Sequence, residues 1–298
     1  MRSSRTQQQP ISVAETQTPD GADAPKTSRT GRNLPAAIAV GVVLGAIAIG
    51  VLLFAPHGWF VVLAVAIPIA THEVTRRLRE AGYAIPVVAL LIGGQATLWL
   101  AWPFGPAGAL GGYAGTVVAC MIWRLVGQGL AQHPVNYLRD ISATVLLATW
   151  IPLFATFSAL LIRQDHGGGR VFALIATVVF ADIGGYVAGV MFGKHLMVPA
   201  ISPKKSWEGL GGSLLFGITA AVLSVTFLLD QPPWVGVPLG LLLVITGVLG
   251  DLVESQVKRD LGIKDMGTLL PGHGGLMDRI DAMLPSAVAG WIVLTLLA

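Results

Sequence analysis

The polar residues of this chain are concentrated near its C-terminus, in a sequence that is otherwise mostly apolar. Residues 251–281 contain five Asp, one Glu, two Lys, two Arg and one His. Carboxylates hold divalent cations, Lys and Arg neutralise phosphate, and glycines allow backbone N–H groups to approach an anion. This segment, the C-terminal tract, therefore predicts a metal-dependent phosphoryl-transfer site beside a membrane.

The tract begins on a helix. Asp251, Glu254, Ser255 and Lys258 continue an apolar run without a break, and their spacing of i, i+3, i+4 and i+7 places them on one helical face. A solvated face is the simpler alternative. Asp251, however, lies at the apolar end, and an unpaired carboxylate costs about 2.5–3.5 kcal/mol at the membrane centre. We therefore predict a metal ion or a cationic side chain beside Asp251.

The second part of the tract combines glycines with two more carboxylates. His273 stands among glycines, ahead of Asp278 and Asp281, which are three residues apart and so share one side of a helix. Glycines adopt positive φ and bring backbone donors close to an anion. A plain glycine-rich turn is the alternative, but it leaves the clustered carboxylates unexplained. We expect His273 to contact phosphate.

A third carboxylate lies inside an apolar run. Asp182 is about ten residues from the inner end of the sixth run, or roughly 15 Å deep at 1.5 Å per residue. Intramembrane carboxylates are rare and usually face a cavity or a partner. A structural hydrogen bond between helices is the alternative to a functional role.

A cationic segment follows this run. Ser202 and Pro203 have the order of an N-cap and a first helical residue, which predicts a helix starting there. Lys204 and Lys205 would then lie in the first turn, where the helix dipole disfavours cations unless an anion binds. Anchoring of the membrane's inner face by positive charge is the simpler reading.

The composition places the chain among membrane proteins: 54% of residues are hydrophobic, 12% are charged, and the mean hydropathy is +0.72. We predict an all-α, polytopic membrane bundle with about nine transmembrane helices, and we divide the chain into a disordered tail (1–33), N-terminal helices (34–165) and a catalytic membrane region (166–298). The candidate spans are 34–55, 58–71, 85–102, 106–126, 140–162, 170–192, 209–229, 234–253 and 283–298.

The distribution of charge predicts orientation. With nine spans, seventeen of the nineteen Lys and Arg residues fall on the side of the tail and the tract, which the positive-inside rule makes cytoplasmic. The C-terminus is then outside. This asymmetry explains the basic pI better than nucleic-acid binding does, because the net charge is only +3. The single cysteine, Cys120, excludes an intrachain disulfide or a thiolate metal cluster.

The tract resembles a known signature. The phosphatidate cytidylyltransferases, also called CDP-diglyceride synthases, share the pattern Ser255-x-x-Lys258-Arg259-x4-Lys264-Asp265-x5-Pro271-x-His273-Gly274-Gly275-x-x-Asp278-Arg279-x-Asp281. The segment from Ser202 to Gly209 and the surroundings of Asp182 are similar to that family too. The resemblance covers the chain from about residue 175 onward.

The resemblance implies a reaction in which CTP and phosphatidate give CDP-diacylglycerol and pyrophosphate, with Mg²⁺ and a monovalent cation such as K⁺. It allows a homodimer. By position, the metal carboxylates would be Asp251 and Asp278, supported by Asp182 and Asp281. The phosphate and substrate contacts would be Ser202, Lys204, Lys205, Lys258, Arg259, Lys264, His273, Gly274, Gly275 and Arg279, of which Lys258, Arg259 and His273 join Asp251 and Asp278 as catalytic candidates.

Three alternatives are weighed against this assignment. A cation-coupled transporter would carry mid-membrane charges in several helices and often related halves. A CTP-dependent lipid-alcohol kinase would need base-assisted attack by a hydroxyl. A CDP-alcohol phosphotransferase would carry an Asp-Gly-x2-Ala-Arg pattern, which is absent.

Overall fold

The computed structural model describes residues 34–127, 129–131, 133–269 and 274–298, with side chains from residue 41 onward. The predicted tail (1–33) and His273 lie outside the described residues. Its elements in chain order are α1 (Leu34–Phe54), a 3₁₀ turn (Pro56–Gly58), α2 (Trp59–Glu80), α3 (Val87–Gly127), α4 (Tyr137–Ala148), a π-helical turn (Thr149–Leu153), α5 (Phe154–Ile162), α6 (Gly167–Phe192), β1 (Leu196–Val198), β2 (Ser202–Ser206), α7 (Trp207–Leu228), α8 (Pro233–Asp260), α9 (Met277–Ile280) and α10 (Met283–Leu297).

The predicted class, an all-α polytopic membrane protein, is confirmed. Seven helical segments of the described chain are long and apolar enough to cross a membrane, which takes about 20 residues. The apolar helix Gly41–Phe54 is shorter. The count of nine spans is not confirmed, and one reason lies in α3.

Helix α3 contains two predicted spans within 41 residues. It breaks at Gly105, where φ is 61° and ψ is −142°, a conformation open only to glycine. The halves pack against each other, because a Cβ added to Gly112 would lie 2.6 Å from Thr97 Cα. The break matches the predicted boundary between spans 85–102 and 106–126.

Helix α2 is longer than expected, whereas α8 continues as predicted. The second span was predicted as 58–71, but α2 continues through 22 residues to Glu80. Its last turns are polar, so hydropathy alone ends the span too early. Helix α8 extends without interruption to Asp260, which confirms that the eighth apolar run continues into the C-terminal tract as a helix.

The prediction that a helix starts at Ser202 is wrong. Residues Ser202–Ser206 form β2, which pairs antiparallel with β1 so that Val198 faces Ser202 and Leu196 faces Ser206. Helix α7 starts at Trp207, and its N-cap is Ser206, whose hydroxyl accepts the Gly209 N–H at 3.1 Å. Pro203 lacks an N–H and is tolerated because an isolated hairpin offers edge positions. Lys204 and Lys205 therefore lie on a strand.

Helices α6 and α7 approach closely through small residues. A Cβ added to Gly184 would lie 2.5 Å from the carbonyl oxygen of Gly212, and one added to Gly212 would collide with Ala188 Cβ and Gly184 O. Small residues at such crossings allow membrane helices to pack backbone to backbone.

Adjacent glycines of α7 provide a matched test of this packing. We expect Gly212→Ala to destabilise the protein by about 1–3 kcal/mol, because overpacking forces the helices apart. Gly211→Ala should have no such effect, since nothing lies within 4 Å of its added Cβ. Thermal unfolding in detergent measures both, and equal midpoints for the two variants would contradict the proposed contact.

Candidate active site

A cavity of about 290 Å³ lies where α6, β2, α7 and α8 meet. Its wall includes Asp182 of α6, Lys204 and Lys205 of β2, and Asp251 of α8. The sequence pointed to these four residues through three unrelated patterns, and the structure brings them together. The cavity thus combines two cationic side chains with two carboxylates.

The cationic and anionic walls are joined by an ion pair. Lys205 Nζ lies 2.6 Å from Asp251 Oδ2 and 3.4 Å from the carbonyl oxygen of Val248. Ser255 Oγ donates to Asp251 Oδ1 at 3.3 Å, one helical turn further along α8. The predicted cationic partner of Asp251 is therefore Lys205.

A second polar cluster lies beside the cavity and is centred on Lys258. This ammonium group forms an ion pair with Glu254 on the same helix and a second one with Asp278 Oδ1 at 3.0 Å. The three side chains are nearly buried, with 15% of Lys258, 1% of Glu254 and 6% of Asp278 exposed. Their charges are therefore screened little by solvent.

Asp278 is also held by backbone donors. The N–H of Gly275 donates to Oδ2 at 2.8 Å, and the N–H of Met266 donates to the same oxygen at 3.0 Å. Gly274, in the left-handed region at φ 83°, allows the chain to turn around this carboxylate. The glycine N–H groups that the sequence suggested for phosphate thus include one that serves Asp278.

Asp281 adds a further carboxylate beside α8. This residue is 8% exposed, and its backbone packs against α8, because a Cβ added to Gly250 would lie 2.6 Å from its carbonyl oxygen. Asp182 and Asp251 both line the cavity. Carboxylates from α6, from α8 and from the segment just before α10 therefore lie in this region.

This set fits a bound cation in charge and in donor chemistry. It contains five carboxylates and is accompanied by three ammonium groups, those of Lys204, Lys205 and Lys258, and Glu254 Oε1 is buried with no hydrogen-bond partner. Oxygen donors of this kind suit Mg²⁺ or K⁺. Within the described ranges, however, no three His, Cys, Asp or Glu side chains form a ready-made metal site. The carboxylates are Asp182, Asp251, Glu254, Asp278 and Asp281.

The remaining candidates lie around these clusters. Arg259 Nε donates to the carbonyl oxygen of Ile201 at 3.3 Å and so links α8 to the hairpin. Ser202 is half-buried on β2, while Lys264 and Arg279 are exposed. None of these four residues lines the cavity, and His273 lies outside the described residues.

Sequence reasoning missed two residues of α2. Glu73 Oε2 accepts the N–H of Met277 at 3.0 Å, and Arg77 Nε donates to the carbonyl oxygen of Met266 at 3.0 Å. Their i, i+4 spacing on a helix was the available signal. It was overlooked because the second span was ended at residue 71, before either of them.

Comparison with known proteins gives one consistent result. Residues 35–297 match the family described as the cytidylyltransferase family. The phosphatidate cytidylyltransferase of Mycobacterium bovis is 62% identical over 282 residues, which is 92% of this chain and 92% of the relative. That of Mycobacterium leprae is 61% identical over 91% of this chain and 90% of the relative. In Brucella melitensis a protein of the same name is 43% identical over 45% of this chain and 52% of its own length.

The Lys258 cluster predicts a strong asymmetry between neighbouring cations of α8. We expect Lys258→Ala to destabilise the protein by about 3–5 kcal/mol, because it leaves two buried carboxylates without their shared cation. Arg259→Ala should cost less than about 0.5 kcal/mol, since Arg259 is exposed. Unfolding in detergent followed by tryptophan fluorescence measures both, and similar losses would argue against a buried ion cluster.

Proposed function

This chain belongs to the cytidylyltransferase family, and from that premise we propose that it is a phosphatidate cytidylyltransferase. It transfers the cytidylyl group of CTP to phosphatidate, giving CDP-diacylglycerol and pyrophosphate. The observation that carries the proposal is 62% identity across 92% of both this chain and the M. bovis relative of that name. The kinase and transporter alternatives receive no support from these matches.

The reaction needs no enzymatic base. The nucleophile is a phosphate monoester, whose second pKa is about 6, so it is largely ionised at neutral pH. One of its oxygens forms a bond to the α-phosphorus of CTP. The bond between that phosphorus and the oxygen that bridges the α- and β-phosphates breaks, and pyrophosphate leaves with the electron pair. The protein therefore has to bring two polyanions together and stabilise charge on the leaving group.

The side chains around the cavity suit those tasks. Lys204 and Lys205 lie on its wall and would neutralise the nucleotide phosphates. Lys205 is held by Asp251, so it is already oriented before substrate enters. Arg259, anchored on the hairpin through Ile201, is exposed nearby and would meet the outer phosphates or the lipid headgroup.

A divalent cation belongs to the proposal, with Asp251 and Asp278 as its first candidates and Asp182 and Asp281 in support. When bound, Mg²⁺ would neutralise phosphate oxygens and stabilise departing pyrophosphate, with K⁺ as a companion. The carboxylate excess and the unpaired Glu254 Oε1 support this assignment. Since Asp278 is held by Lys258 and two backbone N–H groups, cation binding there would require a free coordination position on that carboxylate.

An assay with purified protein tests the function. We expect labelled CTP and phosphatidate to give labelled CDP-diacylglycerol in the presence of Mg²⁺, with loss of turnover in EDTA and recovery on adding Mg²⁺ back. Asp251→Asn should lower turnover roughly 100-fold or more, as expected when an electrostatic group at the reacting phosphates is removed.

The matched control is Asp260→Asn, which removes the same charge from an exposed position on the same helix. It should leave turnover within about twofold of the unmodified protein, as for a surface substitution. Absence of CDP-diacylglycerol from the unmodified protein would overturn the function. Equal turnover of the two variants would overturn the role of Asp251.

We also propose that the tract faces the cytoplasm, which is where CTP is available. The single cysteine, Cys120, is 1% exposed, so an introduced cysteine can be labelled against a low background. A membrane-impermeant maleimide added to intact cells should label Asp165→Cys but not Lys264→Cys, both of which are exposed positions. Permeabilised cells should show both labelled. The reverse pattern in intact cells would contradict this orientation.

A further inference from the structure

Helix α2 reaches across to the segment that holds Asp278. Four residues of that segment, Met266, Gly267, Gly275 and Met277, are called the clasp below. Arg77 Nε donates to the carbonyl oxygen of Met266 at 3.0 Å, and Glu73 Oε2 accepts the N–H of Met277 at 3.0 Å. The inner end of α2 therefore holds the clasp on both sides of residues 268–274.

The clasp in turn fixes the orientation of Asp278. Met266 and Gly275 point their N–H groups at its Oδ2, at 3.0 and 2.8 Å. Each of the two contacts from α2 is thus made on a residue that donates to Asp278 or that lies next to it in sequence. Through Met266, hydrogen bonds connect α2 to Asp278. Through Met277, the connection is a hydrogen bond followed by the peptide bond to Asp278.

The Glu73 carboxylate fits closely against the clasp. It is 8% exposed, and its Oε1 is buried without a hydrogen-bond partner. A Cβ added to Gly275 would lie 2.6 Å from Glu73 Oε2, and one added to Gly267 would collide with Oε1. The two glycines leave the space that the carboxylate occupies.

Burial of such a group is costly. A carboxylate in a nonpolar environment with one oxygen unsatisfied destabilises a protein, and an apolar side chain of similar size would fill the same volume without that cost. Its retention at this position is therefore best explained by what it holds. Residues that hydrogen-bond to a metal-binding or phosphate-binding residue often carry such buried polar groups, because they act by orienting that residue.

We propose that Glu73 and Arg77 are positioning residues for the cytidylyl transfer reaction: they hold the clasp so that the Asp278 carboxylate is presented to the cation and the substrate phosphates. This inference rests on the proposed function. It assigns a role in the reaction to the N-terminal helices, which carry none of the signature residues.

Hydrogen–deuterium exchange of the cation-free protein in detergent provides a readout that is independent of activity. Glu73→Ala should speed exchange of the Met277 amide roughly 10-fold, since its hydrogen bond to Glu73, worth about 1 kcal/mol, is lost. Exchange of the Gly275 amide should also speed up, because its acceptor, Asp278, is no longer held in place. Leu98, buried in α3, should exchange as before. Faster exchange throughout the protein would indicate general destabilisation and overturn the positioning role.

Kinetics provide the second readout. Glu73→Ala should raise the Mg²⁺ concentration for half-maximal rate roughly 10-fold or more, which is the range typical of mutating a residue that orients a metal ligand. An inactive fraction of protein lowers the maximal rate but leaves that concentration unchanged. Glu73→Gln keeps an oxygen that can accept the Met277 N–H, so it should restore the Mg²⁺ dependence to within about threefold of the unmodified protein.

Arg76→Ala is the matched control, because Arg76 lies on the same helix, is exposed, and pairs with Glu80. It should change neither readout. An unchanged Mg²⁺ dependence in Glu73→Ala, in an otherwise active enzyme, would overturn this inference alone. Absence of activity in the unmodified protein would overturn the proposed function, and the exchange data would still show whether α2 holds the clasp.

Discussion

Buried carboxylates near the ends of membrane helices constrain the rest of this structure. Burying an ionised group is expensive unless it is paired and hydrogen-bonded. Lys258 meets this requirement for Glu254 and Asp278 together, and Lys205 pairs with the partly exposed Asp251. Both lysines have to come from fixed positions, one a helical turn along α8 and the other on the short β2 strand. The continuous α8 and the hairpin are the two elements that supply them.

The hairpin shows how a small irregular element serves a helical protein. Its second strand ends at Ser206, which caps α7, so the strand carrying Lys204 and Lys205 is tied directly to the start of a membrane helix. Arg259 holds the other end through Ile201. Successive side chains of a strand point to opposite faces. Both Lys204 and Lys205 nevertheless line the cavity, and Lys205 is the one that reaches Asp251.

The sequence predicted the regular features well, since they depend on local patterns. The i, i+4 contacts of α8, the break near Gly105 and the all-α membrane class follow from periodicity, glycine and hydropathy. The start of α7 was misplaced because Ser202-Pro203 and Ser206 both suit an N-cap, and only the pairing with β1 decides between them. Glu73 was missed because the second span was ended at residue 71, and its partner, Met277, is 204 residues away in the chain, where no local pattern points to the contact. Local patterns contain no information about such contacts.

The same reasoning explains why signature residues and their support are distributed so differently. Residues that touch polyanionic substrates need particular charges, so they form a recognisable tract. Residues that hold the tract need only lie within hydrogen-bonding distance of it, and any helix that ends nearby can provide them. Helix α2 does so because it extends two turns beyond its apolar run, which carries Glu73 and Arg77 to the clasp. Helix α2 and the tract are therefore joined by hydrogen bonds, although α2 carries none of the signature residues.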